Sequence, residues 1–153
     1  MPHAAVPDPE SFAPLPEHRR RRWSKYGSWD RTYFPSLVGV QLEELRTDYC
    51  RLRLPYRAEL DQPAGVVHGG AIATLIDTVV VPAIGAGYDE VPKMATLSMQ
   101  VSYLGAIDGE DAVAHGWIVR RGRSVVFCDA AVVAASGALA ATGSLVYSVR
   151  PVG

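Results

Sequence analysis

Residues 62–77 read Gln62-Pro63-Ala64-Gly65-Val66-Val67-His68-Gly69-Gly70-Ala71-Ile72-Ala73-Thr74-Leu75-Ile76-Asp77. Pro63, Ala64 and Gly65 break any regular element, so the stretch starts as loop. From Gly69 to about Val81 the chain reads as a helix. Ile72, Leu75, Ile76, Val79, Val80 and Val81 leave it almost no polar face, and a helix apolar all round belongs in an interior. A membrane span over 66–87 is the poorer reading, because Asp77 would sit mid-span at a cost of about 2.5–3.5 kcal/mol. Pro82 lacks an N–H and clashes with the carbonyl four residues back, so the helix is expected to kink or end there. Gly85 and Gly87 then open a loop through Pro92.

Around this helix the period changes to two. Leu37–Glu44 is a first candidate strand, followed by a turn at Arg46-Thr47-Asp48. In Tyr49–Tyr56, Cys50, Leu52, Leu54 and Tyr56 alternate with Arg51, Arg53 and Pro55. After the helix come Met94–Leu104, Asp111–Arg120, Ser124–Ala135 and Leu139–Val149, joined by tight turns at Arg121-Gly122-Arg123 and Ser136-Gly137. Hairpin-length turns make an antiparallel sheet, and a helix this apolar must be covered by it. The expected class is α+β, with one antiparallel sheet curled around one central helix.

The chain has 153 residues, 48% hydrophobic and 20% charged, which suits one globular domain with a tail. Residues 1–16 read as a loosely attached tail, 17–36 as a helical extension and 37–150 as the domain. With 15 Lys+Arg against 16 Asp+Glu, the balance argues against a dedicated nucleic-acid binder. Cys50 and Cys128 lie far apart with no CxxC, which suits a reducing cytoplasm. Met1–Pro16 shows no secretory pattern of a basic start and an apolar core, so a cytoplasmic location is expected. Arg19–Arg22 with Trp23, Tyr26 and Trp29 admit two readings: a patch that touches phosphate, or a surface helix whose aromatics pack while its arginines stay solvated.

Three features carry chemistry. A helix that begins at Gly69 offers unpaired N–H groups and the positive end of the macrodipole, suited to an anion or an oxyanion; the two glycines also simply permit a sharp turn. Asp77 sits in an apolar helix, where an unpartnered carboxylate is costly. It is either bonded to a structural partner or held as a general base or nucleophile. His68 stands at the helix start and His115 on a strand beside Trp117, where sheet packing explains it. His3 and His18 fall outside the domain, so no metal site is expected.

Gln62, His68-Gly69-Gly70 and Asp77 resemble the active-site signature of hot-dog-fold acyl-CoA thioesterases, nearest the phenylacetate-degradation (PaaI-like) and hydroxybenzoyl-CoA branch. The resemblance covers about Leu37 to Val149. It implies a thioester hydrolase with acyl-CoA as substrate, and neither a metal nor a redox cofactor. It implies that the Gly69 N–H polarises the thioester carbonyl and that Asp77 attacks it or activates a water. Gln62 and His68 would position the thioester, with Gly70 beside them, and Thr96 would orient the water. Tyr103-Leu104-Gly105-Ala106 and Arg120-Arg121-Gly122-Arg123-Ser124 match segments that contact coenzyme A. Three arginines around a glycine turn suit its phosphates in any case.

The acyl pocket should be apolar, lined by residues such as Ile72, Ile76, Val80 and Val81. Gly69 and Asp77 are eight residues apart, about 12 Å along a helix axis. One helix does not readily bring both to one carbonyl, so the active site is expected between two antiparallel copies. That makes the assembly a homodimer or a dimer of dimers. The competing readings are a hydratase or dehydratase on the same fold, and a non-catalytic acyl-CoA binding module.

Overall fold

The computed structural model describes residues 6–152; residues 1–5 of the expected tail lie outside the described residues. In chain order the elements are α1 (Glu17–Trp23), α2 (Phe34–Val38), β1 (Gln41–Arg46), β2 (Tyr49–Leu54), α3 (Gly69–Gly85), β3 (Lys93–Tyr103), β4 (Ala112–Arg121), β5 (Val125–Ala134) and β6 (Leu139–Arg150). The strands form one six-stranded sheet in the order β1-β2-β4-β5-β6-β3, with every neighbouring pair antiparallel.

Alternation decides which side chains meet α3. Cys50, Leu52 and Leu54 of β2 join Val126, Cys128, Ala130 and Val132 of β5 in one buried cluster with Leu75, Ile76, Val79 and Val80. The helix lies close because the sheet presents small residues beneath it. A Cβ at Gly143 would fall 2.5 Å from Cγ2 of Ile76, and one at Gly116 2.8 Å from Cγ1 of Val79. Gly143→Ala is therefore expected to cost about 1–3 kcal/mol by overpacking, read as a lowered Tm in thermal unfolding.

Three expectations need correction. The predicted strand from Leu37 is helical up to Val38: Pro35 stands in the first turn of α2, and Gly39, at φ 98°, closes it before β1 begins at Gln41. α3 does not stop at Pro82 but runs on to Gly85. A mid-helix proline costs about 3 kcal/mol, and the last turn offsets this by burying Ala83, Ile84 and Gly85. The tail is also less loose than expected. Phe12 stacks on Tyr49 with ring centroids 5.0 Å apart, and the Thr47 N–H donates to the Ala13 carbonyl.

In the extension the aromatics pack. Trp23 occupies the space that Gly85 leaves open, 2.7 Å from where its Cβ would be. Arg19, rather than standing in solvent, bonds Asp89 and the Ala86 carbonyl. His115 takes the structural role expected of it: its Nδ1 lies 2.8 Å from the Tyr49 hydroxyl, and burial lowers its pKa. β3 differs from the other long strands. It pairs with β6 alone, so one edge of its 11 residues is open, and Leu97, Met99 and Tyr103 are exposed.

Candidate functional site

Two clusters of polar groups stand along α3. The first is at its N-terminus. Asp61 bridges Val67, and the bonds Gln62 N–H to Val66 O (2.8 Å) and His68 N–H to Leu60 O (2.8 Å) tie residues 60–68 into a small hairpin leading into the helix. His68 is the N-cap, and its Nδ1 accepts the Gly70 N–H at 2.8 Å. In the neutral ring the proton must therefore sit on Nε2. This bond explains the second glycine, since a Cβ there would lie 2.9 Å from Nδ1. The first glycine is explained by Tyr103, whose hydroxyl donates to the Gly69 carbonyl at 2.8 Å and whose ring would lie 3.3 Å from a Cβ. The Gly69 N–H has no acceptor among the described residues, and the Gln62 side-chain amide is likewise unbonded there. Free donors thus collect at the positive end of the helix dipole.

The second cluster is two turns on. Asp77 Oδ1 accepts from the Thr96 hydroxyl at 2.8 Å and from the Tyr147 hydroxyl at 2.6 Å. Tyr147 also reaches the Asp77 carbonyl at 2.8 Å. The carboxylate is half-buried and partnered, not isolated in a dry interior, and Oδ2 has no partner among the described residues. Burial first, then the Asp77 carboxylate, push the Tyr147 hydroxyl far above its ordinary pKa, so it remains a donor. Thr96 and Tyr147 are register partners on β3 and β6, so one rung of the sheet supplies both hydroxyls. Sequence reading missed Tyr147. Its signal was an inward position on the last strand, where a buried hydroxyl needs a partner.

The arginine hairpin divides. Arg120, Arg123 and Ser124 are exposed. Arg121, expected at coenzyme A, instead turns inward. Its guanidinium donates to Asp48 Oδ1 (2.6 Å) and to the carbonyls of Ile84 (3.1 Å) and Ala83 (3.3 Å). A β-bulge between Ile118 and Arg120 shifts the strand's alternation and pairs Arg121 with the buried Val126. Gly122 makes the turn, where a Cβ would fall 2.6 Å from the Val125 carbonyl oxygen. The hairpin lies at the far end of α3 from Gly69, about 24 Å along the axis. Leu104 is exposed, and its N–H donates to the Ala140 carbonyl.

Of the residues expected around the acyl group, Ile72, Ile76 and Val80 belong to the core, and only Val81 is half-exposed. Both cysteines are free and buried, and burial pushes the Cys128 thiol up to about 12, so it is a poor nucleophile. Among the described residues no group of three His, Cys, Asp or Glu could hold a metal ion, and no helix is long and apolar enough to cross a membrane.

The sequence pattern of the Thioesterase superfamily matches residues 64–141, which take in His68, all of α3 with Asp77, the strands β3 to β5 and the first residues of β6. A protein of Halobacterium salinarum, provisionally named an esterase, is 36% identical over 103 residues, covering 64% of this chain and 68% of its own. The PaaI protein of the E. coli phenylacetic acid degradation operon shares the fold at a TM-score of 0.77 and 14% identity, over 89% of this chain and 96% of that one. A thioesterase of Haemophilus influenzae does so at 0.71 and 20% identity, over 79% and 93%. The sheet and its one long helix are thus the hot-dog fold, and the chain belongs to the thioesterase superfamily.

Proposed function

We propose that the protein hydrolyses an acyl-CoA thioester to the free acid and coenzyme A. The observation that carries this reading is the Asp77 carboxylate, with Oδ1 fixed by two hydroxyls and Oδ2 left free. The thioester carbonyl oxygen accepts from the Gly69 N–H at the positive helix end, where negative charge developing on it is stabilised. Asp77 Oδ2 takes a proton from a water that attacks the carbonyl carbon, or attacks that carbon itself and forms an anhydride that water then opens. The C–S bond breaks, and the thiolate leaves and is protonated. His68, through Nε2–H, and Gln62, through its amide, are the donors that position the thioester. Gly70 keeps the His68 ring in place, Thr96 holds the carboxylate, and Tyr103 holds the Gly69 carbonyl. Exposed Arg120 and Arg123, with Gly122 and Ser124 shaping the turn and Leu104 beyond Tyr103, suit the nucleotide end of coenzyme A. The chemistry asks for no metal or redox cofactor.

The two clusters must come from different subunits. Reacting groups need to stand roughly 3–3.5 Å apart, whereas Gly69 and Asp77 are separated by about 12 Å of helix. The open edge of β3 supports a two-fold pairing that sets the Gly69 end of one helix against Asp77 of the other. Co-refolding Asp77→Ala with Gln62→Ala tests this. Each mixed dimer regains one intact site, so random pairing should restore about a quarter of wild-type thiol release. Subunit exchange seen by mass with activity no higher than either parent would rule the shared site out.

A further inference from the structure

A cavity opens one helical turn beyond Asp77, with one wall inside the family match and the other outside it. Val81 follows Asp77 by one helical turn, on the same face of α3. Met94 precedes Thr96 by two positions on β3, and both oppose buried residues of β6, Val149 and Tyr147. The pairs Asp77–Thr96 and Val81–Met94 are therefore successive rungs of one wall. Val81 and Met94 border a cavity of about 330 Å³ whose facing wall is Trp23, Tyr26 and Trp29. Tyr26 stacks on Trp23 with centroids 6.4 Å apart and meets Trp29 edge-on at 5.1 Å. This aromatic wall is preset, and it lies wholly outside the matched residues 64–141.

We propose that this cavity receives the acyl group, and that Trp23, Tyr26 and Trp29 of the N-terminal extension set acyl selectivity. The proposal rests on the hydrolysis reading above. An acyl chain leaving a carbonyl carbon beside Asp77 Oδ2 enters the cavity within one turn of helix. A dry cavity of 150 Å³ holds a benzene ring, so this one has room for an uncharged acyl group of up to about ten carbons. Pockets of this size lined by aromatic rings gain their affinity from apolar burial. Arg22 and Lys25 also border it, with methylene stems that add apolar surface while their charges stay in water.

The test measures kcat/KM for acetyl-, octanoyl- and dodecanoyl-CoA, and binding of the hydrolysis-resistant S-octyl thioether of coenzyme A by tryptophan fluorescence. Two of the three tryptophans stand at the cavity, so the thioether, and not free coenzyme A, should change the emission of the wild type. Val81→Phe, which fills the cavity, should lower the octanoyl-to-acetyl ratio at least tenfold and weaken thioether binding at least tenfold. Trp29→Ala, at a partly exposed position, should raise the dodecanoyl-to-octanoyl ratio at least threefold. Wild-type hydrolysis with both ratios unchanged in folded Val81→Phe and Trp29→Ala overturns the pocket. Thioether binding that Val81→Phe weakens, with no thiol released from any acyl-CoA, keeps the pocket and overturns the hydrolysis reading instead.

Discussion

Asp77→Asn is expected to lower kcat for acyl-CoA hydrolysis by about 10²–10⁴-fold, the range lost with a positioned general base. The substitution isolates one property. The Asn carbonyl oxygen can keep the bonds from Thr96 and Tyr147 that Asp77 Oδ1 accepts. The amide nitrogen that replaces free Oδ2 can neither take a proton nor attack a carbonyl. Asp77→Ala should be as inactive and only about 1 kcal/mol less stable. Tyr147 would keep the backbone carbonyl at 2.8 Å, and Thr96, being exposed, would turn to water. Thiol release with a chromogenic trap and Tm from thermal unfolding check both variants. An Asn variant that retains more than a tenth of wild-type kcat would show that Asp77 is not the base or nucleophile.

The largest expected loss of stability is at Arg121. Arg121→Ala removes a cation that joins Asp48 to the last carbonyls of α3. The last carbonyls of a helix lack the regular donor four residues on, and hydrogen bonds to charged groups are worth about 1.5–3 kcal/mol. Truncation also leaves the half-buried Asp48 without its partner. A loss of about 2–4 kcal/mol follows, or roughly 5–15 °C in Tm for a domain of this size. The guanidinium fits because Gly87 has no side chain: a Cβ there would lie 2.7 Å from it. Arg120→Ala and Arg123→Ala, at exposed positions, should each stay within about 0.5 kcal/mol of wild type. Equal stability of all three variants would remove the clamp.

Much of this arrangement is legible in the chain. Side-chain period two in Tyr49–Leu54, and the apolar run from Gly69, determine the sheet and its helix before any contact is known. Asp77 stands out because it interrupts that pattern, whereas Gln62 and the pairing of His68 with it are picked out only by resemblance to the thioesterase signature. What stays hidden depends on pairing between distant segments. Tyr147 is inward by alternation, but its meeting with Asp77 requires that β3 and β6 pair so that Thr96 opposes it. Leu37 carries no sign of helix except Pro35 before it and Gly39 after it, which act together as start and stop. Pro82 is locally a breaker, and only the burial of the turn beyond it outweighs the loss. The aromatic wall of Trp23, Tyr26 and Trp29 is hidden for the same reason, since no local rule brings Trp23 to Gly85.

The bulge in β4 gives one residue of slack to the strand that carries Arg121. Val119, between the paired Ile118 and Arg120, is 58% exposed, and most side chains can stand there. With Val119 gone the ladder closes into regular alternation, Ile118 opposite Cys128, Arg120 opposite Phe127 and Arg121 opposite Val126, so Arg121 keeps its inward place. Substitution and single-codon deletion at Val119 are therefore both tolerated, because Arg121 remains the arginine that clasps the helix.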